Sequence, residues 1–250
     1  MKANPSFSFK TGFLFLFLLP FLLSGFAEAR RSEQKAGGLK LVLLPVFNGH
    51  TFALNNQACV NERGDTVYVE TFKFYISHIR LANKDLNYTE ENSYHLVDAA
   101  DSGSQIIHCR SVQEGAYTEL RFQIGVDSLS NVSGALDGDL DPAKGMYWAW
   151  NTGYINAKLS GHSTACHTLH QEFEFHIGGY IPPYKTTRTI VLNIPNVFIP
   201  SGDEPVLNIT CDVAKWFANT DLAKINHVVI PCREAMLLAD NYSAMFRVVP

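Results

Sequence analysis

The chain has 250 residues, 46% of them hydrophobic and only 18% charged, with a formal net charge of −4. Without a basic excess it lacks the cationic face that nucleic acid or an anionic membrane surface demands, so neither is expected as a partner.

In chain order, Lys2 and Lys10 precede a continuous apolar run from Gly12 to Ala27, which closes on Ala27-Glu28-Ala29. A charged start, an apolar middle and a small-x-small end read as a secretory signal peptide over residues 1–29. The run is short for a bilayer span and is broken by Pro20, and no second stretch of spanning length follows. The mature chain is therefore expected to carry no membrane span and to be periplasmic or secreted. Phe26 stands where a bacterial lipoprotein would carry its lipid-modified cysteine.

Residues 30–38 (RRSEQKAGG) hold nothing to bury and read as a flexible lead-in. Residues 39–250 read as a single domain, undivided by any linker or repeat. Five cysteines, Cys59, Cys109, Cys166, Cys211 and Cys232, lie in this part. An oxidising compartment favours disulfides, and the expected pairs are Cys59–Cys109 and Cys211–Cys232, with Cys166 left over.

Short alternating segments follow one another at Leu39–Phe47, Thr66–Leu81, Tyr94–Val97, Tyr117–Val126, Phe173–Gly178, Thr187–Ile194 and Val206–Thr210. In Tyr117–Val126, Leu120, Phe122, Ile124 and Val126 fall on one side and Glu119, Arg121 and Gln123 on the other, the signature of a half-buried strand. In Phe72–Leu81 the apolar parity switches from Phe72, Phe74 and Ile76 to Ile79 and Leu81, which predicts a bulge near Ser77 and His78. Helical spacing appears only late, in Val213, Trp216 and Phe217 and then in Ala235, Leu238, Ala239, Tyr242 and Met245. The expected fold is mainly β: an antiparallel sandwich or barrel-like domain with one or two short helices near the C-terminus.

The chemistry-bearing residues concentrate in two places. Trp148 and Trp150 lie two apart, which on a strand puts both indoles on one face. On residue statistics alone they are core fillers. His176 alternates with Glu172 and Glu174 opposite Phe173, Phe175 and Ile177, and pairing with the tryptophan strand would bring it beside the indoles. The string HSTACHTLH adds His162, Cys166, His167 and His170, a possible Cu(I) or zinc cluster with no second half to complete it. His78 shares a face with Phe72 and Phe74 and reads as a hydrogen-bonded core histidine. His50 falls at a turn. Asp137, Asp139 and Asp141 imitate the start of a calcium loop, but Pro142 and Trp148 occupy the positions that need glycine and glutamate. Phosphate-cradling glycine loops, G-x-S-x-G and H-E-x-x-H are absent from the sequence, so a hydrolase has no visible site.

Four segments together carry a resemblance: FKFYISHIRL (Phe72–Leu81), LRFQIGVDSLSN (Leu120–Asn131), LDPAKGMYWAWNTGYINAKLSG (Leu140–Gly161) and FHIGGY (Phe175–Tyr180). They resemble the MbnP-like family of periplasmic copper-binding proteins, over essentially the whole mature chain. The resemblance implies one copper ion, as Cu(I) or Cu(II), held by histidine and by a tryptophan oxidised to kynurenine. It implies a di-haem partner of the cytochrome c peroxidase type that performs the oxidation. On this sequence it points to Trp148 or Trp150 as the modified side chain and to His176 as a ligand. His50, His78 and His162 compete for a second. The implied role is copper acquisition or handling, without enzymatic activity. The competing readings are a metal-free structural or cell-surface β-domain and, behind it, an exported hydrolase.

Overall fold

The computed structural model describes residues 35–150 and 153–249. The signal-peptide reading of residues 1–29 and the beginning of the lead-in lie outside the described residues. The first half of the chain forms β1 (Ala36–Phe47), β2 (His50–Thr51), β3 (Cys59–Val60), β4 (Thr66–Ala82), β5 (Asn87–Thr89), β6 (Tyr94–Asp98), β7 (Ile106–Gln113) and β8 (Gly115–Ile124). Helix α1 (Ser128–Val132) follows, then β9 (Tyr147–Trp148), β10 (Gly153–Ser163), β11 (Glu172–Gly178), β12 (Arg188–Ile199) and β13 (Val206–Asp212). A 3-10 turn over Val213–Phe217 leads to β14 (His227–Val228), α2 (Arg233–Ser243) and β15 (Phe246–Val248).

Two sheets form. The smaller is ordered β15-β13-β1-β2 with β7 also on β1; the larger runs β12-β8-β4-β10-β11-β14, with β3, β5 and β6 on β4 and β9 on β10. Pairing is antiparallel except where β1 meets β13 and β11 meets β14. Alternation along the strands builds the sandwich: Val67, Val69, Phe72, Phe74 and Ile76 of β4 meet Leu39, Leu41, Leu43 and Ile209 of the smaller sheet in one buried cluster. Phe246 of β15 stands edge-on to Phe74 at 5.7 Å and to Phe122 at 4.9 Å, and so ties the sheets together. Trp216 and Tyr242 close one side of this core, their rings 5.0 Å apart. The expected β-sandwich with short late helices is therefore the observed fold.

The bulge in β4 lies where the parity switch put it. His78 has φ +56, and the register against β8 shifts between Ser77 and Arg80. Its consequence reverses the expectation for His78. The extra residue swings that side chain outward, where it is 47% exposed rather than in the core. Three other expectations are corrected. Strand β1 begins at Ala36, inside the supposed lead-in, because Gly37 lets the chain run against its neighbours; a Cβ there would lie 2.1 Å from the Pro200 carbonyl oxygen. The central strand β10 comes after the tryptophan pair and was not legible from apolar alternation, because its first five residues are all buried. Its bulky residues Tyr154, Ile155 and Leu159 are interspersed with Gly, Asn, Ala and Ser, and a Cβ at Gly161 would lie 1.9 Å from the Tyr68 carbonyl oxygen.

The third correction concerns sulfur: all five cysteines are free. Cys59 and Cys109 sit on different sheets and face the core as small apolar side chains. Cys211 is buried on β13, while the Cys232 sulfur accepts from the Ala235 N–H and caps α2.

Candidate metal centre

The larger sheet carries a second apolar cluster on its outer face. Tyr75, on the opposite pleat from Phe74 and Ile76, gathers Leu96, Val126, Leu140, Met146, Trp148, Tyr154 and Ile155. The chain from Asp127 to Trp150 lies over this face as a lid, held by hydrogen bonds. Asp127 caps α1 by accepting from Leu129 and Ser130 N–H. The Asn131 side chain donates to Val126 O at 3.0 Å and accepts from Tyr154 N–H at 2.8 Å, which pins α1 to β10. Tyr75 and Tyr154 donate their hydroxyls to the Asp139 and Leu140 carbonyls. The aspartates of the calcium-like string serve the same lid: Asp139 accepts from Leu96 N–H and pairs with Lys144, and Asp141 caps the turn at Pro142.

At the end of the lid the two tryptophans part company. Strand β9 stops at Trp148, so Trp150 stands in a turn and not on the same strand face. The rings still lie 5.6 Å apart, tilted by 43°. Trp148 is buried, whereas Trp150 is 64% exposed. Strand β9 pairs with β10, yet the Trp148 indole reaches beyond β10 to β11. A Cβ on Gly178 would stand 2.6 Å from Cζ3 and 2.8 Å from Cη2 of that ring. Glycine at 178 is thus the seat of the indole. Beside it opens a cavity of about 260 Å³ lined by Trp148, Tyr180, Ile181, Pro182, Tyr184 and Pro231 among others.

His176 is two residues from Gly178 on β11, so its side chain leaves the strand on the face where Trp148 lies, about 6–7 Å along. Phe175 and Ile177 point the other way, into the core between the sheets. His176 pairs with Lys158 across β10, and its side chain is only 15% exposed. Its Nε2 comes within 3.1 Å of Glu174 Oε1 but out of line for a hydrogen bond, so this buried nitrogen has no hydrogen-bond partner among the described residues. Burial, and then the Lys158 ammonium, push the imidazole down to about 4, and it is neutral at physiological pH. Glu174 reaches a second histidine: strand β14 sets His227 opposite it, with Nδ1 at 3.4 Å from Oε2.

The other sequence candidates lie apart. His162 is on the same face, four residues further along β10 than Lys158, but it is stacked on Tyr68 at 4.6 Å and bonded to Glu70 at 2.9 Å. His78 contacts Ser77 and lies 3.7 Å from Asp127 at the start of the lid. His50 is exposed in the β1–β2 hairpin of the smaller sheet. In the HSTACHTLH string Cys166 faces the core with its thiol pushed up to about 11 by burial, while His167 and His170 face solvent or its edge. Among the described residues no three His, Cys, Asp or Glu side chains stand in a geometry that holds a metal ion as they are. The structure therefore sets Trp148, with Trp150 beside it, on the sheet face that also carries His176, and leaves His50, His78 and His162 elsewhere. Glu174 and His227 were missed as neighbours of His176. The signal for His227 was the β-branched run Val228-Val229-Ile230 behind it, which marks a short strand.

A two-sheet sandwich with a lidded outer face, and a tryptophan seated on glycine one step from a half-buried histidine, defines a single β-domain whose candidate chemistry is ligand binding by side chains. The family model named MbnP matches residues 36–232, from the first residue of β1 into the turn before α2, and the chain belongs to the MbnP family. Among solved structures, MbnP from Methylosinus trichosporium superposes with a TM-score of 0.55 at 15% identity, covering 76% of this chain and 80% of that one. At that identity the likeness is one of fold. No curated protein matches.

Proposed function

We propose that this chain is an exported copper-binding protein of the periplasm that serves copper acquisition or handling and is not itself an enzyme. The observation that carries the reading is the unpartnered Nε2 of His176, buried on the face where Trp148 lies. A buried polar atom without a partner costs about 1–3 kcal/mol, which a metal ion would offset. The imidazole is neutral, as a ligand must be, and imidazole suits copper.

His176 by itself is a thin coordination shell. Oxidation of Trp148 to kynurenine by a di-haem partner would add an aniline nitrogen and a ketone oxygen on the same strand face. Trp148 suits this role better than Trp150 because it is fixed against Gly178, and fixed donors bind metal at lower entropic cost. Trp150, exposed and 5.6 Å from Trp148, is the indole of the pair that an oxidising partner would meet first.

Peptide mass spectrometry and metal analysis of protein isolated from its host test the proposal. Copper in the protein, kynurenine at Trp148 and intact Trp216 are expected, with copper lost in His176→Ala. Intact tryptophan in a copper-free protein would favour the metal-free structural domain. Intact tryptophan with tightly bound copper would leave a histidine site and remove the oxidation step.

A further inference from the structure

We infer that Asn87 is a glycosylation acceptor, carrying a saccharide that is joined to its side-chain amide after export. This rests on the export proposed above and not on the copper. Within residues 35–249, four asparagines stand in Asn-x-Ser/Thr with a middle residue other than proline: Asn87, Asn131, Asn208 and Asn241. The tertiary structure treats them unequally. Asn131 is 3% exposed, and its amide nitrogen donates to the Val126 and Asp127 carbonyls at 3.0 and 2.9 Å. That of Asn241 donates to the carbonyls of Trp216 and Ala218 at 3.1 and 2.6 Å. A sugar on either nitrogen would break the bonds that anchor its helix. Asn208 is half-buried on β13, inside the smaller sheet between β1 and β15. Asn87 is exposed.

The residues around Asn87 are set out for recognition. Asp85, Asn87 and Thr89 are exposed, while the alternate residues Leu86 and Tyr88 pack against the core. Asn83 holds the turn before β5 by accepting from the Asp85 and Leu86 N–H groups, and 73% of the Asp85 side chain stays in solvent. Oligosaccharide transfer to asparagine reads the amide and the hydroxyl two residues after it. Its periplasmic form also reads a carboxylate two residues before. Asn87 has both, in Thr89 and Asp85; at the earlier position the other three asparagines have Leu129, Val206 and Ala239. Exposure and sequence thus select the same residue independently.

In the transfer, Asn87 Nδ2 bonds the anomeric carbon of a saccharide linked to a polyprenyl diphosphate. The bond from that carbon to the diphosphate oxygen breaks, the oxygen keeps the electron pair, and one amide proton goes to a base of the transferase. Beside Asn87 opens a cleft of about 630 Å³, with Thr89 and Glu91 on one side and His108, Arg110 and Gln113 of β7 on the other. Such side chains offer donors and acceptors to sugar hydroxyls. A saccharide there would cover the outer edges of β5 and β7, each of which pairs with a single strand among the described residues.

The test is peptide mass spectrometry of the full mature chain isolated from its host, with the cell fractions assayed for the protein. A saccharide is expected on the peptide that carries Asn87 and on none that carries Asn131, Asn208 or Asn241. Asn87→Gln should abolish it, and Asp85→Ala should reduce it to traces. The unsubstituted chain gives the main readout, which does not depend on how any variant folds. An exported chain with Asn87 bare, or with the saccharide on another asparagine, would overturn the inference and leave the copper reading untouched. A chain found only in the cytoplasm would overturn both the inference and the export on which it rests. Saccharide at Asn87 of a copper-free protein would uphold the inference and remove the copper reading.

Discussion

Among the described residues, two regions of this sandwich each leave one buried nitrogen without a hydrogen-bond partner, and their surroundings differ. One is Nε1 of Trp216, in the core between the sheets; the other is Nε2 of His176, on the outer face of the larger sheet. An indole N–H can only donate, so it offers a cation nothing. A neutral imidazole nitrogen carries a lone pair and a metal can use it. Around Trp216 the neighbours are Phe72, Tyr242 and other buried rings. Around His176 they are Lys158, Glu174, His227 and, two residues along the strand, the seat of Trp148. An unsatisfied buried atom therefore marks a site only when its own chemistry and the face it occupies allow one.

The comparison can be broken by substitution. Trp216→Ala should destabilise the fold by about 3–5 kcal/mol in denaturant titration, because it empties a packed core, while the folded fraction keeps its metal affinity. A large loss of copper binding by that folded fraction would show that the two regions are coupled. Next in size is Gly178→Ala. Its methyl occupies the place of the Trp148 ring and the Tyr154 carbonyl, so a loss of about 1–3 kcal/mol is expected, together with a shift in indole fluorescence. Unchanged fluorescence would mean that the ring does not rest on that glycine.

A smaller effect should appear in the pH dependence of stability. In the folded, metal-free protein His176 takes up its proton only near pH 4, whereas an unfolded imidazole does so near 6.5. Between those values the unfolded chain binds the extra proton, so stability rises with pH through this window and is lost as pH falls. His176→Gln should flatten that part of the wild-type curve; identical curves for the two proteins would show that the imidazole titrates normally. The least effect is expected of Trp150→Phe, within about 0.5 kcal/mol, since the side chain is mostly in water. A greater cost would mean that Trp150 holds Trp148 in place.

Much of this was legible in particular residues. Regular alternation in Tyr117–Val126 and Phe173–Gly178 identified β8 and β11, and the parity break identified the bulge at His78. The late helical spacing marked α2, whose Ala235, Leu238, Ala239 and Tyr242 are buried. The sandwich class follows from such local periodicities because a strand with one apolar face must bury it.

Tertiary structure alone decided the rest. Which cysteines meet depends on which sheet each strand joins, and the strands carrying Cys59 and Cys109 join different ones. The bulge announced a kink but not its direction, and the direction put His78 outside. That Trp148 would reach across β10 to Gly178 depends on the absence of a side chain on a strand it does not pair with. His227 reaches Glu174 through a parallel pairing between segments some fifty residues apart, and no local pattern encodes such a contact. Periodicity tells a residue which face it occupies; only the packing of strands from distant parts of the chain tells it which neighbours share that face.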